Sequence, residues 1–168
     1  NTVQSQLQQA VQATNAQPGN SFQIEITDYQ KSAYSSEVIT RIILKDQTGA
    51  ISHPDDYIEL RHKIDHGISS ATFKSNVVVT ENIKTIVDKD FNGIVPVRFD
   101  GEVSVDTAVV NSYLDAFTLK PEGPHGGEIK VKPANMRLIY QIDPQQYQLQ
   151  GTWNGADLNA SSDHLSLG

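Results

Sequence analysis

From Ile58 to His66 the chain alternates without a break. Ile58, Leu60, His62, Ile64 and His66 fall on one side, and Glu59, Arg61, Lys63 and Asp65 on the other. A period of two sends successive side chains to opposite faces of an extended strand, whereas a helix would mix the two sets. The same period returns in "VPVRFDGEVSVD", residues 95–106, where Val95, Val97, Phe99, Val103 and Val105 oppose Arg98, Asp100, Glu102, Ser104 and Asp106. Only Gly101 interrupts that apolar side, and its position predicts a bulge. Phe22, Ile24 and Ile26 alternate with Gln23, Glu25 and Thr27 in the same manner. Strands with one covered and one wet face therefore set the architecture.

The other segments fit around such strands. Residues 37–45, "EVITRIILK", are rich in β-branched side chains, and "DQTGA" supplies the turn after them. Further strands are expected at "SYLDAFTLK", "GEIKVK", "MRLIYQI" and "QYQLQGTW", separated by "PEGPHGG", "DP" and "NG". Two stretches have the helical period instead. Val3, Leu7, Ala10, Val11 and Thr14 form one apolar stripe that ends before Pro18 and Gly19, and Ile83, Ile86 and Val87 form a shorter one closed by Asn92 and Gly93. Many short strands with few helices between them point to antiparallel pairing rather than crossover units. The expected fold is α+β, mainly β: a long twisted antiparallel sheet, an N-terminal amphipathic helix packed on it, and one further short helix, in a single domain spanning residues 1–168.

Composition removes several function classes. A net charge of −7 repels a phosphate backbone, and no cluster of Lys and Arg with interleaved aromatics offsets it, so nucleic acid is not an expected partner. The absence of cysteine removes thiol nucleophiles and Cys-based zinc sites. No aliphatic run is longer than that of Val77, Val78 and Val79, too short to span a bilayer. The chain begins at Asn1 without an initiator Met and reads as a processed piece of a longer protein.

The histidines invite sharper readings. His62 and His66 share a face, but four strand residues span roughly 13 Å, too far for two imidazoles to hold one zinc ion at about 2.1 Å each. "HPDD", residues 53–56, matches four residues of the zinc-dependent sugar N-deacetylase signature. Tyr57 stands where that family has Glu, and no H-x-x-H follows, so Pro54, Asp55 and Asp56 read as a turn. Asp163 and His164 are adjacent and would face opposite ways on a strand. "PEGPHGGE", residues 121–128, reads as a long hairpin connection. Carboxylates such as Asp55 and Asp56, or Glu102 and Asp106, would suit glycoside hydrolysis only if folding set a pair about 5–9 Å apart. No serine elbow, phosphate loop or dinucleotide fingerprint is present. No cofactor and no metal are expected.

The succession of an amphipathic helix with "ATNAQ", then "IEITDYQKSAYSSEV", "YIELRHKIDHGI", "GIVPVRFDGEVSVD", "FTLKPEG" and "YQLQGTWNGADL" resembles the N-terminal part of the YdgA-type family of bacterial proteins of unknown function. Its members carry a Tyr followed by a Ser-Ser pair on an early strand, matching Tyr29, Ser35 and Ser36. They also carry an Asp-His-Gly triplet, matching Asp65, His66 and Gly67. The resemblance spans nearly the whole chain through short motifs. It implies a protein of several hundred residues with one N-terminal inner-membrane anchor and a periplasmic body continuing past Gly168, and it brings no established reaction or catalytic residue. Gly67 then reads as a place where a strand stops or bends and a side chain does not fit, and His66 as the partner of a buried polar group.

Two functions are weighed. The favoured one is a non-enzymatic envelope module that binds an envelope protein or a lipid-like ligand on a sheet face or edge, with self-association left open. The alternative is a hydrolase built on Asp65, His66 and a serine brought close by folding, Ser35 or Ser36.

Overall fold

The computed structural model describes residues 2–124, 126–142, 147–154, 158–161 and 166–167. The alternating segments become neighbouring strands of one sheet. These are β1 (Phe22–Lys31), β2 (Ser35–Leu44), β3 (Tyr57–His66), β4 (Ser70–Val78), β5 (Val97–Ser104), β6 (Thr107–Leu114), β9 (Ala134–Ile142) and β10 (Tyr147–Asn154). They lie in the order β1-β2-β3-β4-β5-β6-β9-β10, every pair antiparallel. The intervening β7 (Phe117–Leu119) and β8 (Glu128–Val131) leave this sheet and join β11 (Leu158–Ser161) and β12 (Ser166–Leu167) in a second one, ordered β12-β11-β8-β7. The expected long antiparallel sheet is present, and the chain steps out of it once and returns.

Three expectations need correction. "SYLDAFTLK" is not one strand: it ends β6, breaks at Asp115–Ala116 and begins β7, since Asp115 N–H still bonds Pro96 O at 2.7 Å in the β5–β6 register but Pro96 has no N–H to return. Val95 and Val105 lie outside β5, and Val105 sits in the turn that follows it. Gly101 makes no bulge, because it stands opposite Phe73 and Val110 in unbroken register. A Cβ there would run into the Val109 carbonyl oxygen and come within 2.6 Å of the Phe73 ring, so backbone and aromatic together occupy the space the glycine leaves. The bulge lies in β1, where the register to β2 shifts between Ile26 and Asp28.

Register defines the two faces. One row across seven strands runs Tyr29, Val38, His62, Ser75, Phe99, Ser112, Met136, and the next runs Ser36, Ile64, Phe73, Gly101, Val110, Leu138. This face is apolar with polar insertions, and Val38, on β2 one strand in from the edge, is fully buried in it. The opposite face carries cross-strand charge pairs, Arg41 with Glu59 at 3.2 Å and Arg61 with Glu37 at 3.4 Å. Guanidinium groups also lie over rings there, Arg41 on Tyr57 and Arg98 on Tyr113. The exposed Arg61–Glu37 pair adds little stability, about 0–1 kcal/mol, while Glu59 of the other pair is mostly buried.

The helices meet the sheets at particular strands. α1 (Thr2–Asn15) contacts β1, and the Asn15 amide donates to Ile24 O and accepts from Ile24 N–H, both at 2.8 Å. One side chain thus substitutes for a missing strand partner at a free sheet edge. α2 (Glu81–Phe91) buries Val87 and ends on Asn92 in the left-handed region at φ 53°. Gly93 N–H then reaches back to Val87 O at 3.0 Å, closing the C-terminus as the Asn-Gly pair predicts. Phe91 meets Phe117 edge-on at 5.2 Å and ties α2 to β7.

Candidate functional site

On the apolar face, β1 to β4 gather hydroxyls around two histidines. His66 is the last residue of β3, and its Nε2 lies 2.8 Å from Ser36 Oγ on β2. Tyr29 Oη lies 3.1 Å from the same oxygen. One turn of the pleat away, His62 is held from both sides, Nε2 2.8 Å from Thr40 Oγ1 and Nδ1 2.6 Å from Ser75 Oγ. Ser36, Thr40 and Ser75 are buried polar residues. Each hydroxyl both donates and accepts, so a neutral imidazole finds one donor and one acceptor in either tautomer.

Tyr29 reaches this cluster only because of the bulge. Strict alternation from Phe22, Ile24 and Ile26 would place an odd-numbered residue with Gln23, Glu25 and Thr27 on the wet face. The extra residue in β1 reverses the parity, so Tyr29 stands opposite Val38 on the apolar face. Gly67 fixes the other end of the site. Its N–H bonds Ser70 O at 2.7 Å, and a Cβ on Gly67 would sit 2.7 Å from that same oxygen. The tight β3–β4 turn therefore excludes a side chain where His66 leaves the strand.

The six residues singled out from the sequence are divided between the faces. Tyr29, Ser36 and His66 converge, and Gly67 makes the turn beside them. Ser35 and Asp65 stand opposite one another in register on the wet face, and Ser35 Oγ bonds Ser32 Oγ at 2.7 Å. Both line an open depression of ≈ 310 Å³ with Lys31, Glu37 and Lys63. Thr40 and Ser75 were missed. Their signal is a small hydroxyl at an inward position, which carries meaning only once a histidine is known to stand beside it.

Electrostatics separate the two histidines' surroundings from those of a metal centre. Burial holds His62 below its ordinary pKa of 6.5. Both of its nitrogens are engaged by hydroxyls, which leaves no lone pair for a metal. Among the described residues no three His, Asp or Glu side chains come together as a metal-binding group. His53 and Asp56 close a turn, Asp56 N–H to His53 O at 3.1 Å. The 121–128 segment joins the antiparallel pair β7 and β8, and its Glu122 is bound by Lys89 at 2.7 Å. Asp163, His164 and His125 lie outside the described residues.

The chemistry open to the cluster is narrow. Ser36 Oγ has an imidazole at hydrogen-bond distance, the first requirement of an activated nucleophile. Yet Ser36 is only 4% exposed, it lies within a regular strand, and Asp65 points away from His66. The cluster is better suited to hold four strands in register and to offer hydroxyl and imidazole groups beside an apolar surface. Compared with known families, residues 1–168 match the model of a bacterial protein family of unknown function, DUF945. Comparison with curated proteins and with solved structures finds no match.

Proposed function

The chain belongs to the bacterial DUF945 family of unknown function, and from that premise we propose that it is a non-enzymatic binding module of the cell envelope, holding a lipid-like ligand or an envelope protein on its sheet. The observation that carries this reading is the incomplete burial of the apolar face. Among the described residues, Val38, Ile43, Val87 and Ala134 are the hydrophobic side chains that are buried. A half-covered face whose rows run six and seven strands, apolar with polar insertions, suits an apolar occupant with a polar group. The proposal also takes up the YdgA-type resemblance: a single domain within a longer protein, periplasmic and anchored in the inner membrane through a segment outside this chain.

Native mass spectrometry of detergent-free protein, followed by solvent extraction, tests the reading. A reproducible lipid-like adduct or a co-purifying envelope protein is expected, and Val110→Glu, placed in an apolar row, is expected to abolish either. Retention of the adduct in that variant would remove the sheet face from the proposal.

The Ser36–His66 contact at 2.8 Å supports a second reading, a hydrolase without Asp65. Ester, glycoside and peptide substrates and a fluorophosphonate label decide it. No turnover and no labelling of Ser36 are expected. Turnover that disappears in His66→Ala would overturn the binding-module reading.

A further inference from the structure

Hairpins β1–β2, β3–β4 and β5–β6 all turn at the same end of the large sheet, since each is followed by a connection at the opposite end. Turns are ordinarily built from polar residues and glycine. Here each turn also presents a large apolar side chain to solvent: Tyr34 is 80% exposed, Ile68 109% and Val105 88%. Among the described residues these are the three most exposed large hydrophobic side chains.

The register makes these tips level. Ser35 stands opposite Asp65, and His66 N–H bonds Tyr34 O at 2.7 Å, which locks the first tip beside the second. Ser70 stands opposite Ser104, which aligns the second with the third. With strands about 4.8 Å apart, neighbouring tips are roughly 10 Å apart and the row is about 20 Å long. Ser32 and Ser69 lie exposed within the first two tips, and Ser104 ends the strand that leads into the third. Separate aliphatic and aromatic prongs spaced by hydroxyls make a poor rigid interface, because they enclose no continuous core. Each one enters a soft apolar layer independently, and Tyr suits the bilayer interface through its apolar ring and polar tip.

Charge narrows the lipid. At a net −7 the chain has no general attraction to anionic headgroups. Among the described residues the one acid within these tips, Asp106, is turned back on itself, with its carboxylate accepting from Ser104 Oγ at 2.9 Å and Thr107 Oγ1 at 3.2 Å. We propose that this end of the sheet is a membrane-contact edge, at which Tyr34, Ile68 and Val105 enter the interfacial layer of a zwitterionic bilayer without electrostatic assistance. The surface is separate from the apolar sheet face, so either proposal can fail alone.

The chain has no cysteine, so Ile68→Cys provides a single attachment point for a polarity-sensitive fluorophore. Tyr34→Cys is a second such point, and Gln47→Cys, in the loop at the opposite end, is the control. Phosphatidylcholine vesicles are expected to blue-shift the labels at positions 34 and 68 but not at 47, equally at low and high salt. Combining Tyr34→Ser, Ile68→Ser and Val105→Ser is expected to weaken co-flotation with these vesicles on the order of tenfold or more, with an unchanged far-ultraviolet circular dichroism spectrum. No shift at 34 and 68 overturns the proposal. So does a shift seen only with anionic vesicles at low salt. A shift that follows protein concentration without vesicles would mark a protein contact instead, and would equally overturn it.

Discussion

His62 concentrates the physical tension of the site in one side chain. It is neutral by preference, because burial disfavours the imidazolium, and Thr40 and Ser75 satisfy both nitrogens without supplying a counter-charge. The linkage has a definite sign. Its folded pKa lies below 6.5, so as pH falls through 6.5 the unfolded chain takes up the proton first, and stability declines until the lowered folded pKa is passed. Urea denaturation at a series of pH values is expected to show this loss below 6.5. His62→Gln, which does not titrate there, is expected to lack that share of the loss. An identical pH profile in the two proteins would refute the assignment. His62 and His66 were legible in the sequence as residues of one face. Their partners were not, because cross-strand neighbours are 13 to 30 positions away in the chain.

Among the elements, β5 and β1 show how one residue sets a strand's behaviour in different ways. In β5 the glycine at position 101 was expected to bend the strand, and a neighbour's ring prevents that need: Phe73 fills the gap and the register continues. Gly101→Ala would push a methyl group into that ring and into the Val109 carbonyl oxygen. A loss of about 1–3 kcal/mol is expected in chemical denaturation, the usual cost of overpacking, with Phe73→Leu in the same background restoring part of it. If Gly101→Ala alone is as stable as the parent, the ring does not occupy that space. In β1 nothing in "FQIEITDYQK" announces a bulge, yet the bulge decides which face Tyr29 joins. The strands that obeyed a period of two were readable. β4 was not expected, because "SATFKSNVV" places Ser75 on its inner face, and "TAVVNSYL" in β6 lacks clean alternation.

Over the whole molecule, the quantity that distinguishes this chain is the surface it leaves uncovered. Among the described residues Val38, Ile43, Val87 and Ala134 are the buried hydrophobic side chains, so folding covers less apolar surface than is usual for a chain of this size. The urea m-value is expected to fall below the value typical of this length. A fully typical m-value would mean that the apolar face is covered in solution, by self-association or by an occupant, and dilution or delipidation would tell these apart. Local periodicity was enough to determine the fold class, both helices, the Asn92–Gly93 stop and the paired faces of β3, because each depends on side chains a few residues apart. Only tertiary pairing decided that a bulge turns Tyr29 inward, that Ser36 rather than Ser35 meets His66, that Asp65 is carried to the other face, and that three apolar turns end level. A strand's register is fixed by partners distant in sequence, and a shift of one residue exchanges its faces.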